Sequence, residues 1–278
     1  MGTEQQVRDH YTHGTLFASI AAAMASAGID IDSATVADLA QLDHFHGRGL
    51  LATKELLDSL DLARDCLVLD VGCGIGGPAR YVADRFGCRV TGIDLTEEFC
   101  AVARRLNQIV GLDERITIEV GSATDLPFAD GTFDAAYSQN VSMNIADKSR
   151  FYGEIFRVLK PGGVAAFAEI ARGDGGDPVY PVPWSSNGSN SYLQTPDAAK
   201  QAIATAGYDL VSWRDHSETV IAANRAQRAQ IARDGPPKLG PHILMGAGAR
   251  EKMRNSAGNI EHGRVRPIDI VCRKPGGG

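Results

Sequence analysis

The sequence predicts an α/β fold: a seven-stranded, mostly parallel sheet with helices on both faces, preceded by a helical cap and carrying a lid insertion. Three observations predict it. From Cys66 onward short apolar runs alternate with helix-period stretches, the pattern of repeated βαβ units. The first run, Val68-Leu69-Asp70-Val71, passes straight into Gly72-Cys73-Gly74-Ile75-Gly76-Gly77, a buried strand that ends in a tight turn and opens a helix. A chain of 278 residues, 44% of them hydrophobic, is long and apolar enough to fill the core of one enlarged domain.

Residues 1–13 are polar and predict a weakly anchored start. Leu16, Phe17, Ile20 and Met24 then recur at helical spacing until Gly28, and a second short helix runs from Ser33 or Thr35 toward Leu42. A polar bend, His44 to Gly49, leads into helical periodicity over Leu50 to Leu60. Residues 1–60 thus form a helical cap, and residues 61–278 the sheet domain. Strands are predicted at Cys66–Val71, Cys88–Ile93, Ile116–Val120, Phe133–Gln139, Gly163–Ile170, Tyr208–Trp213 and Val265–Cys272. Helices fall between them at Pro78–Phe86, Glu97–Val110 and Lys148–Leu159, the second with Thr96 as its N-cap. Residues 171–195 hold three prolines and Tyr180, Trp184 and Tyr192, which predicts a long lid loop. Residues 215–262 read as a helical insertion that breaks at Pro236-Pro237 and Pro241.

A net charge of −6 without any basic run argues against nucleic acid and anionic membrane surfaces as partners, leaving a small molecule. No apolar stretch reaches the roughly 20 residues of a membrane span, and no leader pattern opens the chain. Five cysteines without C-x-x-C spacing predict reduced thiols and a cytoplasmic protein. His44 and His46 lack cysteine or carboxylate companions, so no metal is expected. The helical additions can serve as cap or as subunit interface, which allows a homo-oligomer.

Gly72, Gly74 and Gly77 fit G-x-G-x-x-G, with Asp94 following about 20 residues later, so this turn alone permits a dinucleotide. Three further pieces follow in order: Gly121-Ser122-Ala123-Thr124-Asp125-Leu126-Pro127-Phe128, Ala129-Asp130-Gly131-Thr132-Phe133-Asp134, and Arg157-Val158-Leu159-Lys160-Pro161-Gly162-Gly163. With them the chain resembles the class I S-adenosylmethionine-dependent methyltransferases over roughly residues 45–170. The resemblance implies a Rossmann-like sheet and S-adenosylmethionine as cofactor. It sets the turn from Gly72 through Gly74 to Gly76 against the methionine and ribose, with Asp70 suited to the ammonium. Asp94 accepts both ribose hydroxyls, and Leu95 packs on the adenine. Ser122 and Ala123 lie at the adenine edge; related sequences frequently carry aspartate at the position of Ser122, and Asp125 is the alternative acceptor. Gln139 neighbours the sulfonium end.

Ligands of open parallel sheets lie beyond the carboxyl ends of the strands, so the loops after the fourth and fifth strands face the acceptor. They present Asn140, Asn144, Glu169 and Arg172. Glu169 can take a proton or bind an ammonium, and Arg172 can hold a carboxylate, unless the two pair with each other. Tyr180, Trp184 and Tyr192 can wall a cationic pocket or anchor their loop. Tyr11, Phe45 and His46 approach from the cap, His46 as a base or as the fastener of its own bend. The catalytic candidates are therefore Glu169, His46 and Asn140. Within the superfamily, the stretches Leu42–Gly49, Ser138–Asn140 and Asn259–Lys274 look most like sarcosine/dimethylglycine-type N-methyltransferases, which implies in-line transfer to an amine. The alternatives are a C- or O-methyltransferase of a natural-product, prenyl or quinone-like acceptor, and a non-catalytic S-adenosylmethionine-binding partner protein.

Overall fold

The computed structural model describes residues 3–12, 14–44, 48–246 and 248–276. Three helices come first: α1 (Thr3–Tyr11), α2 (Leu16–Ser26) and α3 (Val36–Asp43); α4 (Leu50–Asp58) then leads to the sheet. The sheet elements follow as β1 (Leu67–Val71), α5 (Gly77–Phe86), β2 (Arg89–Asp94), α6 (Glu97–Ile109), β3 (Ile116–Val120), β4 (Phe133–Gln139), α7 (Lys148–Val158) and β5 (Leu159–Arg172). The last third holds α8 (Pro196–Thr205), β6 (Asp209–Asp215), α9 (Ser217–Asp234), α10 (His242–Met245), α11 (Ala249–Glu261) and β7 (Val265–Arg273).

The seven strands form one sheet in the order β3-β2-β1-β4-β5-β7-β6. Strands β1 to β5 are parallel, whereas β7 runs antiparallel to both β5 and β6. Both faces of the sheet are covered, which is why β1 is buried almost continuously rather than in alternation. On one face Leu56 and Leu57 of α4, Val82 of α5 and Ala103 of α6 pack on Val68, Tyr137 and Ala166. On the other, Phe151, Tyr152 and Ile155 of α7 and Ile203 of α8 pack on Leu69, Val71 and Phe167.

The cap closes on the sheet through apolar and ionic contacts together. Leu16, Ile20, Met24, Leu39 and Leu42 meet Phe99, Val102 and Leu106 of α6, with Leu239 and Leu244 completing the cluster. A capping box between Thr35 and Asp38 starts α3. At its end Asp43 takes two bonds from the fully buried Arg80 of α5, at 3.0 and 2.5 Å, while Arg80 also donates to Asn107 and to the Ile75 carbonyl. Removing either partner of so buried a pair strands a charge away from water.

Two expectations change. The polar start of the chain is helix α1 and is anchored: Val7 is buried, Tyr11 donates to Asn144 at 3.1 Å, and His10 Nε2 lies 2.9 Å from the Pro183 carbonyl. These partners are over a hundred residues away, so no local periodicity signals them. Thr96 makes no side-chain cap for α6; its amide is taken by Asp94, and Glu98 in the first turn instead receives the amides of Gly14 and Leu16. No described helix is long and apolar enough to cross a membrane.

Candidate active site

A cavity of about 1060 Å³ opens at the carboxyl ends of the strands, where the order reverses on either side of β1. The glycine turn forms one wall. Gly72 has φ +76°, and a Cβ there would sit 2.2 Å from Val141 Cγ2, so the turn after β1 and the loop after β4 approach as only glycine allows. The Gly74 amide donates to Asp94 Oδ2 at 2.9 Å and the Thr96 amide to Oδ1 at 2.8 Å, which fixes the Asp94 carboxylate at the rim of the turn. Burial raises the pKa of Asp94 against the pull of these amides.

Asp70 is 2% exposed, and among the described residues neither its Oδ2 nor the hydroxyl of Tyr137, its register partner, has a partner in hydrogen-bond geometry. Burial first, opposed by the nearby Tyr137 hydroxyl and the Arg80 charge and helped by the like charge of Asp94, pushes the Asp70 carboxyl up to about 8. A buried carboxyl oxygen without a partner is costly, and an incoming cation relieves it.

The face of the sheet on which each residue lies sorts the remaining candidates. Asp70 pairs with Tyr137, Gln139 with Ala168, and Ala168 with Asp269, so side-chain alternation puts Asp70, Gln139 and Asp269 on one face. Thr53 of α4 covers it, donating to Gln139 Oε1 at 3.4 Å and lying 3.0 Å from Nδ1 of the buried His44. Glu169 points the other way, toward α7. It accepts from Ser142 at 2.6 Å and Tyr152 at 2.7 Å, and burial raises its pKa despite both bonds and the charge of Lys148. Lys148, lowered to about 8 by burial, donates to the carbonyls of Ser142, Ile145 and Tyr192. The expected pairing of Glu169 with Arg172 is therefore not made; Glu169 lines the cavity while its two oxygens hold Ser142 and Tyr152.

The lid candidates separate as well. Asn144 lines the cavity as a clamp: its Oδ1 receives Tyr11 and its Nδ2 donates to the carbonyls of Trp184 and Asn190, each at 2.9 Å. Asn140 also lines it, in a left-handed conformation with φ +57°. Tyr11, Leu95, Ala123, Gln139 and Trp184 are wall residues. Tyr11 is raised far above the usual phenol range by burial and by Asp94. Arg172, Tyr180 and Tyr192 do not line the cavity. Arg172 pairs with Asp177 at 2.6 Å, Tyr180 packs on Val182 and Trp184, and the Tyr192 hydroxyl donates to Ser189. The loop folds on itself, so a single aromatic, Trp184, reaches the cavity from it. Phe45 and His46 lie outside the described residues. Asp125 is exposed and pairs with Arg150 at 3.3 Å, away from the cavity.

Sequence reasoning missed several wall residues. Glu4 of α1 accepts from the Ser122 hydroxyl at 2.6 Å. Arg48, His216 and Asp269 gather at the opposite end, with His216 Nε2 2.8 Å from Asp269 Oδ2. Asp269 was detectable as a carboxylate in an otherwise apolar run, Ile268-Asp269-Ile270-Val271; Glu4 and Arg48 carry no local signal.

Residues 69–167 match the family described as a methyltransferase domain. The sarcosine/dimethylglycine N-methyltransferase of Halorhodospira halochloris is 30% identical over 206 residues, covering 73% of this chain and 72% of that protein. The chain belongs to the S-adenosylmethionine-dependent methyltransferases. A phosphoethanolamine N-methyltransferase of Arabidopsis thaliana shares 40% identity over 124 residues, but there the match spans only 25% of the relative's length. Geranyl diphosphate C-methyltransferase from Streptomyces coelicolor A3(2) superposes with a TM-score of 0.72 over 99% of this chain and 98% of that one, at 16% identity. The methyltransferase uses S-adenosylmethionine, and the unpartnered Asp70 oxygen, the close-approach glycine turn and the rim-held Asp94 fit a ligand with an ammonium and adjacent hydroxyls.

Proposed function

We propose that this methyltransferase passes the methyl group in line to an amine nitrogen of a small-molecule acceptor. The observation that carries the reading is that one continuous cavity holds both the Asp70–Asp94 groove and the walls beyond Gln139. Donor and acceptor can then meet without leaving the protein. The name of the relative matched over 72% of its length supports an amine. Asp70 would bind the cofactor's ammonium, the amides from Gly72 to Gly76 its carboxylate, and Asp94 its ribose. Leu95 and Ala123 would flank the adenine, with Ser122 and Glu4 at its edge. When bound, the cofactor supplies an electrophilic methyl on a sulfonium sulfur. Gln139, on the same sheet face as Asp70, would border the reacting end, and Asn140 its backbone-defined corner.

Tyr11 and the clamp of Asn144 on the lid would exclude water and hold the acceptor in line. Such positioning can account for roughly 7–11 kcal/mol of barrier. The five cysteines are all free thiols, which supports a cytoplasmic site of action.

A second reading has its own observation: Val220, Ala223, Leu244, Met245, Met253 and Ile260 make the far wall apolar, which suits a bulkier acceptor methylated at oxygen or carbon. Incubation with labelled S-adenosylmethionine and a panel of sarcosine, dimethylglycine, phenols and prenyl compounds separates the two. Label on the amines is expected; label on phenols or prenyl compounds alone replaces the first reading with the second. No transfer to any of them, with S-adenosylhomocysteine still bound, returns the chain to a non-catalytic binding role.

A further inference from the structure

The acceptor end of the cavity holds an ionic chain that no role described so far uses. Glu55 of α4 pairs with Arg48 at 2.6 Å, Arg48 Nη2 lies 3.4 Å from His216 Nδ1, and His216 Nε2 lies 2.8 Å from Asp269 Oδ2. Three segments converge to build it: the turn that leads into α4, the residue just before α9, and the middle of β7. The Arg48 side chain is 5% exposed, and among the described residues neither its Nε nor His216 Nε2 has a partner in hydrogen-bond geometry. His216 and Asp269 are 12% and 16% exposed. Buried polar groups of this kind cost stability unless something repays them, and these border a chamber whose other walls are largely apolar.

The position of the chain is set by the strand register. Asp269 and Gln139 face the same way, two strands apart, with only the methyl side chain of Ala168 between them. Adjacent strands are about 4.8 Å apart, so roughly 10 Å separates the two backbones, room for the nucleophilic end of an acceptor. Glu169 is turned to the other face and spends both oxygens on Ser142 and Tyr152.

We propose that His216, oriented by Asp269, is the group that takes the proton shed by the acceptor's nucleophile; the assignment rests on the methyl-transfer reading above. An amine that arrives as an ammonium has no free electron pair, so one N–H must be surrendered for the nitrogen to attack. The proton passes to Nδ1 of His216. The pair left on nitrogen forms the new N–CH₃ bond, and the pair of the broken C–S bond stays on sulfur. Nε2 faces the Asp269 carboxylate at 2.8 Å, an ion-pair contact rather than an aligned hydrogen bond, and that carboxylate balances the imidazolium. Nδ1 is the nitrogen available for this: its contact with Arg48 is at the long end of hydrogen-bond range, so a closer partner can replace it. Among the described residues, the charged groups facing the imidazole are Asp269 from β7 and Arg48, with Glu55 behind Arg48; Asp215, the preceding residue, is 3.5 Å from Arg266.

The test pairs kinetics with a readout that needs no turnover. His216→Asn is expected to lower kcat by about 10²–10⁴, the usual worth of a general base, while the KM of whichever panel acceptor is methylated and the Kd of S-adenosylhomocysteine stay within about threefold. Free imidazole should restore at least part of the activity of His216→Ala, which a merely structural histidine would not allow. Nitrogen NMR of the wild-type protein should show the Nε2–H tautomer of the neutral His216 ring, changing in Asp269→Asn. Unchanged kcat in His216→Asn, a loss that follows His44→Gln instead, or an Nδ1–H tautomer overturns the proposal. Should no panel acceptor be methylated by the wild type, the proposed function fails, and the tautomer still decides whether His216 has its lone pair on the acceptor side.

Discussion

Asp70 shows how one unsatisfied atom couples binding to pH. Its pKa in the folded chain, about 8, lies above the ordinary 3.8, so between those values the folded protein holds a proton that the unfolded chain has lost. Folding stability contributed by this group therefore falls as pH rises from about 4 to about 8. Binding of an ammonium needs the ionised form, so affinity for S-adenosylhomocysteine should rise from pH 6 to pH 8, with a log-log slope approaching one. Titration calorimetry across that range checks it, and a flat profile would refute the role. Asp70→Asn should flatten the profile and weaken binding by roughly 10- to 100-fold, the worth of a charged hydrogen bond. The same variant should lose less stability than the wild type between pH 6 and pH 8.

Helices α3 and α5 are held by one buried contact that apolar patterning does not announce. Asp43 is pushed up by burial and pulled back by Arg80, so the pair is balanced only while both members are present. Arg80→Ala should cost about 3–5 kcal/mol in chemical denaturation, because it leaves a buried carboxylate unpaired. Gly77→Ala tests the same junction sterically: a Cβ at Gly77 would stand 2.2 Å from the Asp43 carbonyl, and relief requires α3 to move away from α5. A loss of about 1–3 kcal/mol is expected from this overpacking, and a neutral result would show that the cap floats on the sheet. Helix α1 belongs to the same scale. Its residues look loosely held in the sequence, because a single buried apolar residue, Val7, gives no periodic signal; Glu4, His10 and Tyr11 tie it to loops brought near only by folding.

At the scale of the whole molecule, the cavity is walled by cap, sheet and the helices between β6 and β7 together. Ligand binding should thus stabilise all of them as one unit. S-adenosylhomocysteine at a hundred times its Kd should add about 2.7 kcal/mol, seen as a single shifted unfolding transition. Two transitions, with only one of them shifted, would mean that the cap or the insertion unfolds independently.

The strand–turn–helix at Val68–Gly77, the carboxylate at Asp94 and the alternating runs were legible because each rests on local chemistry: chain reversal needs glycine, a fully covered strand needs continuous apolar residues, and a helix needs its period. From these the sequence by itself determined a mostly parallel α/β sheet, a nucleotide-type groove and, through the linked motifs, its cofactor. Tertiary structure alone decided what faces what. It turned Glu169 toward α7, led Arg172 and two lid tyrosines away from the cavity, and placed Glu4 beside Ser122 and His216 beside Asp269. Such partners lie tens to hundreds of residues apart. Their meeting depends on strand order, register and the packing of the cap, which are properties of the assembled chain that no local window contains.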